Sequence, residues 1–214
     1  MDDDQSKMPL EFRLRLTAAR QAVADARAAN DKVRLAHALK QLANIERRPP
    51  FMAEVAIGTY TEAAELFGEL AMPLEQAWCI RHIGIVREYQ ERLEDAESSY
   101  DHALALYREH AVGNSLDYAN SVRYPAVIKN RLGQREESTR LWEEAHERYR
   151  QVGPGGLGEG VAEAAAWLTI FAVEAGDRER ANRWFARASE ASSASGDPDT
   201  HKFVAEVKDR LGDM

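Results

Sequence analysis

Six histidines, one cysteine and a run of glycines are the residues of this 214-residue chain whose chemistry could go beyond packing. His37, His82, His102, His110, His146 and His201 include no pair at i, i+4, so no helix offers two imidazoles on one face as a helical zinc site does. Glu143 and His146 form one Glu-x-x-His. A di-metal centre in a helical bundle needs two such motifs and two further carboxylates, so this pair reads as surface residues of an outer helix. Cys79 has no partner for a disulfide within the chain and no neighbours that would activate a thiol, and reads as a plain helical residue. The segment 153–160, Gly-Pro-Gly-Gly-Leu-Gly-Glu-Gly, follows a helical pattern rather than a strand and lacks the Lys-Ser/Thr ending of a phosphate loop; it reads as a flexible connector. No Ser-His-Asp or Cys-His arrangement has local support. The expectation is a non-catalytic protein with no metal and no cofactor.

The elements that would position any functional residue are helices. Apolar residues make up 44% and charged residues 30%, a globular balance, and Ala, Glu, Arg and Leu dominate while β-branched residues are scattered. The net charge of −8 argues against general nucleic-acid binding. The start, MDDDQSKMPL, has no apolar core of a signal peptide, and the most apolar stretch, 161–175, carries Glu163 and Glu174 and is too short to cross a bilayer. With a single cysteine, this predicts a cytoplasmic protein with no membrane partner. Residues 1–9 read as a disordered tail. Apolar periodicity predicts ten helices: 10–29, from a cap at Asp31 to about 48, 53–71, 73–91, 93–110, 115–131, 135–152, 161–175, from a cap at Asp177 to about 193, and 199–211. Pro49-Pro50 end the second, Pro73 opens the fourth, and Gly133 and Gly176 close the sixth and eighth. Pro125 falls inside the sixth, which predicts a kink or a late start.

The helices repeat in pairs. Ala43, Gly84, Ala126 and Thr169 occupy the same place in the first helix of four successive pairs, at spacings of 41, 42 and 43. The second helices align on Ala63, Ala96, Ser138 and Ala181. Four residues later each has an aromatic (Phe67, Tyr100, Trp142, Phe185), and three beyond that comes Leu70, Ala103, Ala145 or Ala188. Two antiparallel helices approach closely only where a small side chain lets them, and the aromatic four residues on lies on the same face and fills the gap to the neighbour. One pair cannot bury its apolar face alone; stacked pairs can.

This pattern resembles the tetratricopeptide repeat (TPR), best in the Ala77–Tyr107 copy, where Ile83-Gly84, Ala96, Tyr100 and Ala103 stand where that family places its large–small pair, alanine, aromatic and alanine. The period is similar to the roughly 42-residue variant of kinesin-light-chain-like arrays. The resemblance implies an all-α, right-handed superhelix of about ten antiparallel helices. It divides a single domain, 10–214, into a partial repeat (10–32), four repeats (33–72, 73–114, 115–153, 154–196) and a C-terminal capping helix (197–214), whose apolar end faces allow a homodimer.

In such an array the first helix of each pair lines a concave wall. The resemblance then implies a groove bearing Lys40, Asn44 and Arg47 from the first copy, Trp78, Arg81, His82 and Tyr89 from the second, and Asn120, Arg123, Tyr124, Asn130 and Arg131 from the third. With Arg48, six basic residues face one acid, Glu88, although the chain as a whole is acidic. The expected partner is a peptide or protein segment carrying acidic or carboxylate groups, paired by arginine and held along its backbone by asparagine. An alternative is a ligand- or peptide-sensing regulator whose array changes curvature on binding. Lys40 and Asn44 have the spacing of the carboxylate clamp of some TPR domains. His82, Asn120 and Tyr124, however, stand where asparagine, lysine and arginine would be expected, which argues against a chaperone-tail clamp. The fourth wall helix (Glu163, Ala166, Trp167, Ile170, Val173, Glu174) is largely apolar and is expected to pack on the C-terminal helix or to offer a hydrophobic pocket.

Overall fold

Breaks in the apolar pattern become turns between helices in the computed structural model, which describes residues 8–152 and 158–213. The helices are α1 (Leu10–Ala28), α2 (Lys32–Glu46), α3 (Ala53–Glu69), α4 (Pro73–Tyr89), α5 (Leu93–His110), α6 (Leu116–Arg131), α7 (Arg135–Gln151), α8 (Gly158–Glu174), α9 (Arg178–Ala194) and α10 (Pro198–Gly212), with one 3-10 turn at Pro50–Met52. Among the described residues there is no strand. Most of the expected tail and the first five residues of the glycine run lie outside the described residues. The last three positions of that run are helical, so α8 starts three residues earlier than its periodicity indicates.

Local chemistry explains the boundaries. The Asp31, Ser115, Asp177 and Asp197 side chains accept from the backbone N–H three residues on, at 2.8–3.1 Å, and so cap α2, α6, α9 and α10. Five turns close alike: Asn30, Ala71, Glu91, Gly133 and Gly176 take φ of 53–76°. In each, the next N–H reaches the carbonyl five residues back at 2.8–3.1 Å, as from Met72 to Phe67 and from Asp177 to Ala172. Turns this short force antiparallel neighbours. Pro125 sits buried in an uninterrupted α6 whose start is fixed by the Ser115 cap, so the late start expected from proline does not occur.

The chain forms two compact units that divide between His110 and Ala111. In the first, α2 pairs with α3 and α4 with α5, while α1 packs on α2 and α3 on α4. In the second, α6 pairs with α7 and α8 with α9, α7 packs on α8, and α10 covers α8 and α9. The small-and-aromatic positions make these contacts. Phe67, Tyr100 and Trp142 are fully enclosed, and a Cβ on Gly84 would stand 2.5 Å from the Tyr100 ring. Where serine replaces alanine at Ser138, its hydroxyl donates to the Ala126 carbonyl at 2.8 Å, so the polar atom is satisfied inside the contact. Phe185 departs from the pattern: it is half-buried, bordering a cavity with Val204 and Ala205 of α10 instead of a further repeat. The apolar face of α8 packs on the C-terminal helix as its composition implies, with the rings of Trp167 and Phe203 5.7 Å apart.

Charged residues add a second register. Arg27–Glu62, Lys32–Glu69, Lys40–Glu75, Arg92–Glu54, Arg123–Glu163, Arg135–Glu174 and Arg180–Glu143 pair at 2.6–3.1 Å. Each pair spans 35–40 positions, about one repeat. Exposed pairs of this kind contribute about 0.2–1 kcal/mol each, and their larger effect is to fix register between neighbouring repeats. Among the described residues, no helix is long and apolar enough to cross a membrane.

Candidate functional site

In the first unit, α2 and α4 bring Lys40, Asn44, Arg47, Trp78, Arg81, His82 and Tyr89 to neighbouring positions, but not as an open basic row. Lys40 Nζ lies 2.6 Å from Glu75 Oε2 and 4.0 Å from the centre of the Trp78 ring, so both an acid and an aromatic face answer its charge. Arg81 is buried, with 3% of its surface exposed. His82 is buried and stacks on Trp78, ring centres 3.5 Å apart and 22° from parallel. Its Nδ1 is 2.8 Å from the Trp78 carbonyl, which can only accept, so Nδ1 carries the proton. Burial, then the charges of Arg81, Arg47 and Lys40, lower the His82 pKa to about 3, and the ring is neutral at physiological pH. Arg47 donates from Nε to Asn44 Oδ1 at 2.8 Å, so these two hold each other. Glu88, the one acid expected on the wall of the first three copies, accepts the Tyr100 hydroxyl at 2.7 Å.

Beyond this ordered cluster the surface opens. Where α2 ends against the C-terminal turn of α4, a cavity of about 450 Å³ is lined by Arg47, Arg48, Pro50, Ala53, Val86, Tyr89 and Gln90. Tyr89 is 78% exposed, and Phe51 in the adjoining 3-10 turn 51%. Arg48 is exposed, and its side chain makes no ion pair or hydrogen bond among the described residues. Pro49-Pro50 shape this pocket: they stop α2 and turn the chain through Pro50–Met52 into α3, leaving the two arginines at its mouth.

In the second unit, α6 and α8 bring Arg123 and Glu163 together. Nε and Nη2 of Arg123 meet the two carboxylate oxygens at 2.6 and 2.8 Å. Burial alone would lower the arginine pKa, but the Glu163 bonds and charge outweigh it and raise it. The guanidinium also lies 5.3 Å from the Tyr124 ring centre. Asn120 accepts the Tyr149 hydroxyl at 2.6 Å. Asn130 is half-buried and Arg131 exposed on the last turn of α6. The arginine expected to meet a ligand carboxylate thus meets one from its own chain.

No family model and no curated protein sequence matches the chain. Solved structures do. BtubC (BKLC) from P. vanneervenii superposes with a TM-score of 0.76 at 20% identity, over 96% of this chain and 86% of that one. A putative kinesin light chain from Podosopora anserina, with nearly identical TPR-like repeats, gives 0.64 at 11% identity over 83% and 85%. YrrB, described as a TPR protein with an unusual peptide-binding site, gives 0.56 at 16% identity over 90% and 91%. The chain is a TPR-like helical-repeat protein.

Within this TPR-like frame, several residues went unread in the sequence. Glu75 lies one turn before Trp78 on the same face of α4, 35 positions after Lys40, and that spacing is the signal that would have found it. Glu46 is buried and accepts the Thr59 hydroxyl at 2.6 Å, and burial raises its pKa despite that bond. His146 corrects a surface assignment: Glu143 is exposed and paired with Arg180 at 2.8 Å, but His146 is only 5% exposed and packs edge-on against Trp184 at 5.1 Å. It is buried because α9 follows α8 closely enough to lay Trp184 over it. Cys79 is fully buried, and burial pushes its thiol up to about 12.

Proposed function

We propose that this protein binds a peptide or protein segment on the first helices of its repeats, and that the first unit receives it at the Arg47–Tyr89 cavity with a preference for acidic or carboxylate-bearing segments. The observation that carries this reading is the combination in one pocket of an unpaired, exposed Arg48 with the exposed aromatic Tyr89 and an apolar floor of Pro50, Ala53 and Val86. A guanidinium beside an aliphatic floor fits a segment whose carboxylate lies next to an apolar side chain. Arg47 and Arg48 also sit where the C-terminal carbonyls of α2 favour cations, so part of their charge is structural; Arg48 keeps its donors for a partner. The likeness to YrrB, a TPR protein with a peptide-binding site, supports the class of function. The Trp78–His82–Lys40 cluster supplies a rigid neighbour to the pocket.

The test is a peptide array in which every sequence appears twice, with a free C-terminal carboxylate and as the amide. Binding should favour acidic sequences and free carboxylates, and Arg48→Glu or Tyr89→Ala, both at exposed positions, should weaken it by about tenfold or more. Equal binding of acids and amides, with no preference for acidic sequences, would overturn the carboxylate preference. Failure of every peptide to bind would overturn the class.

A further inference from the structure

Between the second helices of the second unit and the start of α8 lies a cavity of about 440 Å³ bordered by His146 and Arg150 of α7, Val161 in the first turn of α8, and Arg187, Glu190 and Ala191 of α9. Its walls depend on two glycines. A Cβ on Gly160 would come within 2.6 Å of the Tyr149 ring, and one on Gly158 within 2.8 Å of the Ala191 carbonyl. Their bare backbone lets the N-terminal turn of α8 close against both α7 and α9. His146 is 5% exposed and borders the cavity, and its ring packs on Trp184 with no side-chain hydrogen bond among the described residues. Arg187 lies 4.5 Å over that same ring and has no acidic partner among the described residues. Arg150 pairs with Glu147 at 2.9 Å, while Glu190 pairs with no cation among the described residues.

We infer that this cavity is a binding site for a small monocarboxylate with an apolar body. The carboxylate is taken by Arg187 and His146, with Arg150 and the positive end of α8 adding to the field, and the apolar body rests on Val161, Ala191 and Ala194. The His146 ring borders the cavity, and a carboxylate oxygen placed there gives its N–H an acceptor. Glu190 sets the charge limit: it repels a second negative charge, so a monoanion is favoured over a phosphate dianion. The charges of Arg187 and Arg150 add to burial in holding the His146 pKa down to about 4, so an anion placed among them raises it. This inference does not depend on peptide binding by the first unit.

The experiment follows the His146 ring resonances by NMR in the full chain while isovalerate, isovaleramide or inorganic phosphate is added. Isovalerate should produce a saturable shift and raise the His146 pKa, whereas the amide and phosphate should bind about tenfold more weakly or worse. Arg187→Ala, at an exposed position, should remove the isovalerate response and leave the unfolding midpoint close to that of the parent. The inference is overturned if isovalerate gives no saturable shift, if the amide or phosphate binds as well, or if Arg187→Ala responds like the parent.

Discussion

The contact between Gly84 and Tyr100 can be tested against a second glycine that serves as its own control. In Gly84→Ala the new Cβ would stand 2.5, 2.7 and 3.1 Å from Cε1, Cδ1 and Cζ of Tyr100. The ring is fully buried, and its hydroxyl is held by Glu88 at 2.7 Å, so it cannot withdraw without losing that bond. Overpacking of this kind costs about 1–3 kcal/mol, and loss of the bond about 1 kcal/mol more. Against this stands the gain of about 1 kcal/mol when alanine replaces glycine inside a helix. The net expectation is a loss of about 1–3 kcal/mol. Gly58 lies inside α3, exposed, with nothing within 4 Å of its Cβ, so Gly58→Ala keeps the helical gain and should stabilise by about 1 kcal/mol. The same change should therefore move the urea midpoint in opposite directions at the two sites, separating the two variants by about 2–4 kcal/mol, with far-UV circular dichroism as the probe. If Gly84→Ala proves as stable as Gly58→Ala, the close approach of α4 to α5 is not what the glycine is for.

Two further outcomes concern the buried titratable groups. His82 and His146 have pKa values lowered to about 3 and 4 in the folded chain, from an ordinary 6.5, so below pH 6.5 the unfolded state binds more protons than the folded one. Their contribution is complete above pH 6.5 and is lost as the pH falls towards 4 and then 3. The slope is at most about 1.4 kcal/mol per pH unit for each histidine, and a series of urea midpoints across that range should flatten in His82→Gln; an unchanged slope would remove His82 from the account. Cys79, fully buried with its thiol pushed up to about 12, should react with a disulfide reagent only as fast as the chain opens; complete labelling on mixing in native buffer would contradict its placement.

The helices and their repeat were legible because each boundary rests on local chemistry: Asp31 and Asp177 cap, Pro73 opens, Gly133 and Gly176 take the left-handed turn, and Gly84 admits Tyr100. Ala71 and Glu91 make the same turn with less suitable residues, so the fold does not require glycine there. The candidate surface was less legible for a different reason. A first helix in a stack is flanked on both sides, and a 3.6-residue period cannot tell the stripe that faces open space from the stripes that face its neighbours. Arg81 and His82 stand on the expected stripe and are buried, whereas Tyr89 on the same stripe is open. The sequence likewise gave no sign that Trp184 would cover His146, because the residues involved lie on different repeats.

Counting charge along a single helix misleads in a repeat protein, and the pairings here say why. A base on one repeat finds its acid about one repeat away, later in five of the seven pairs and earlier for Arg92 and Arg180, so a row of basic residues on successive first helices is offset by acids that no single helix reveals. Lys40 meets Glu75 and Arg123 meets Glu163 in this way. Arg48 breaks the rule. Forty positions beyond it stands Glu88, but that carboxylate takes the hydroxyl of Tyr100, whose ring fills the gap left by Gly84. The packing that closes the second repeat therefore occupies an acid at the pairing distance from Arg48, which remains exposed at the mouth of the cavity beside Tyr89. Among the described residues Arg48 is thus a cation left open to a partner, and the overall charge of −8 carries no information about it.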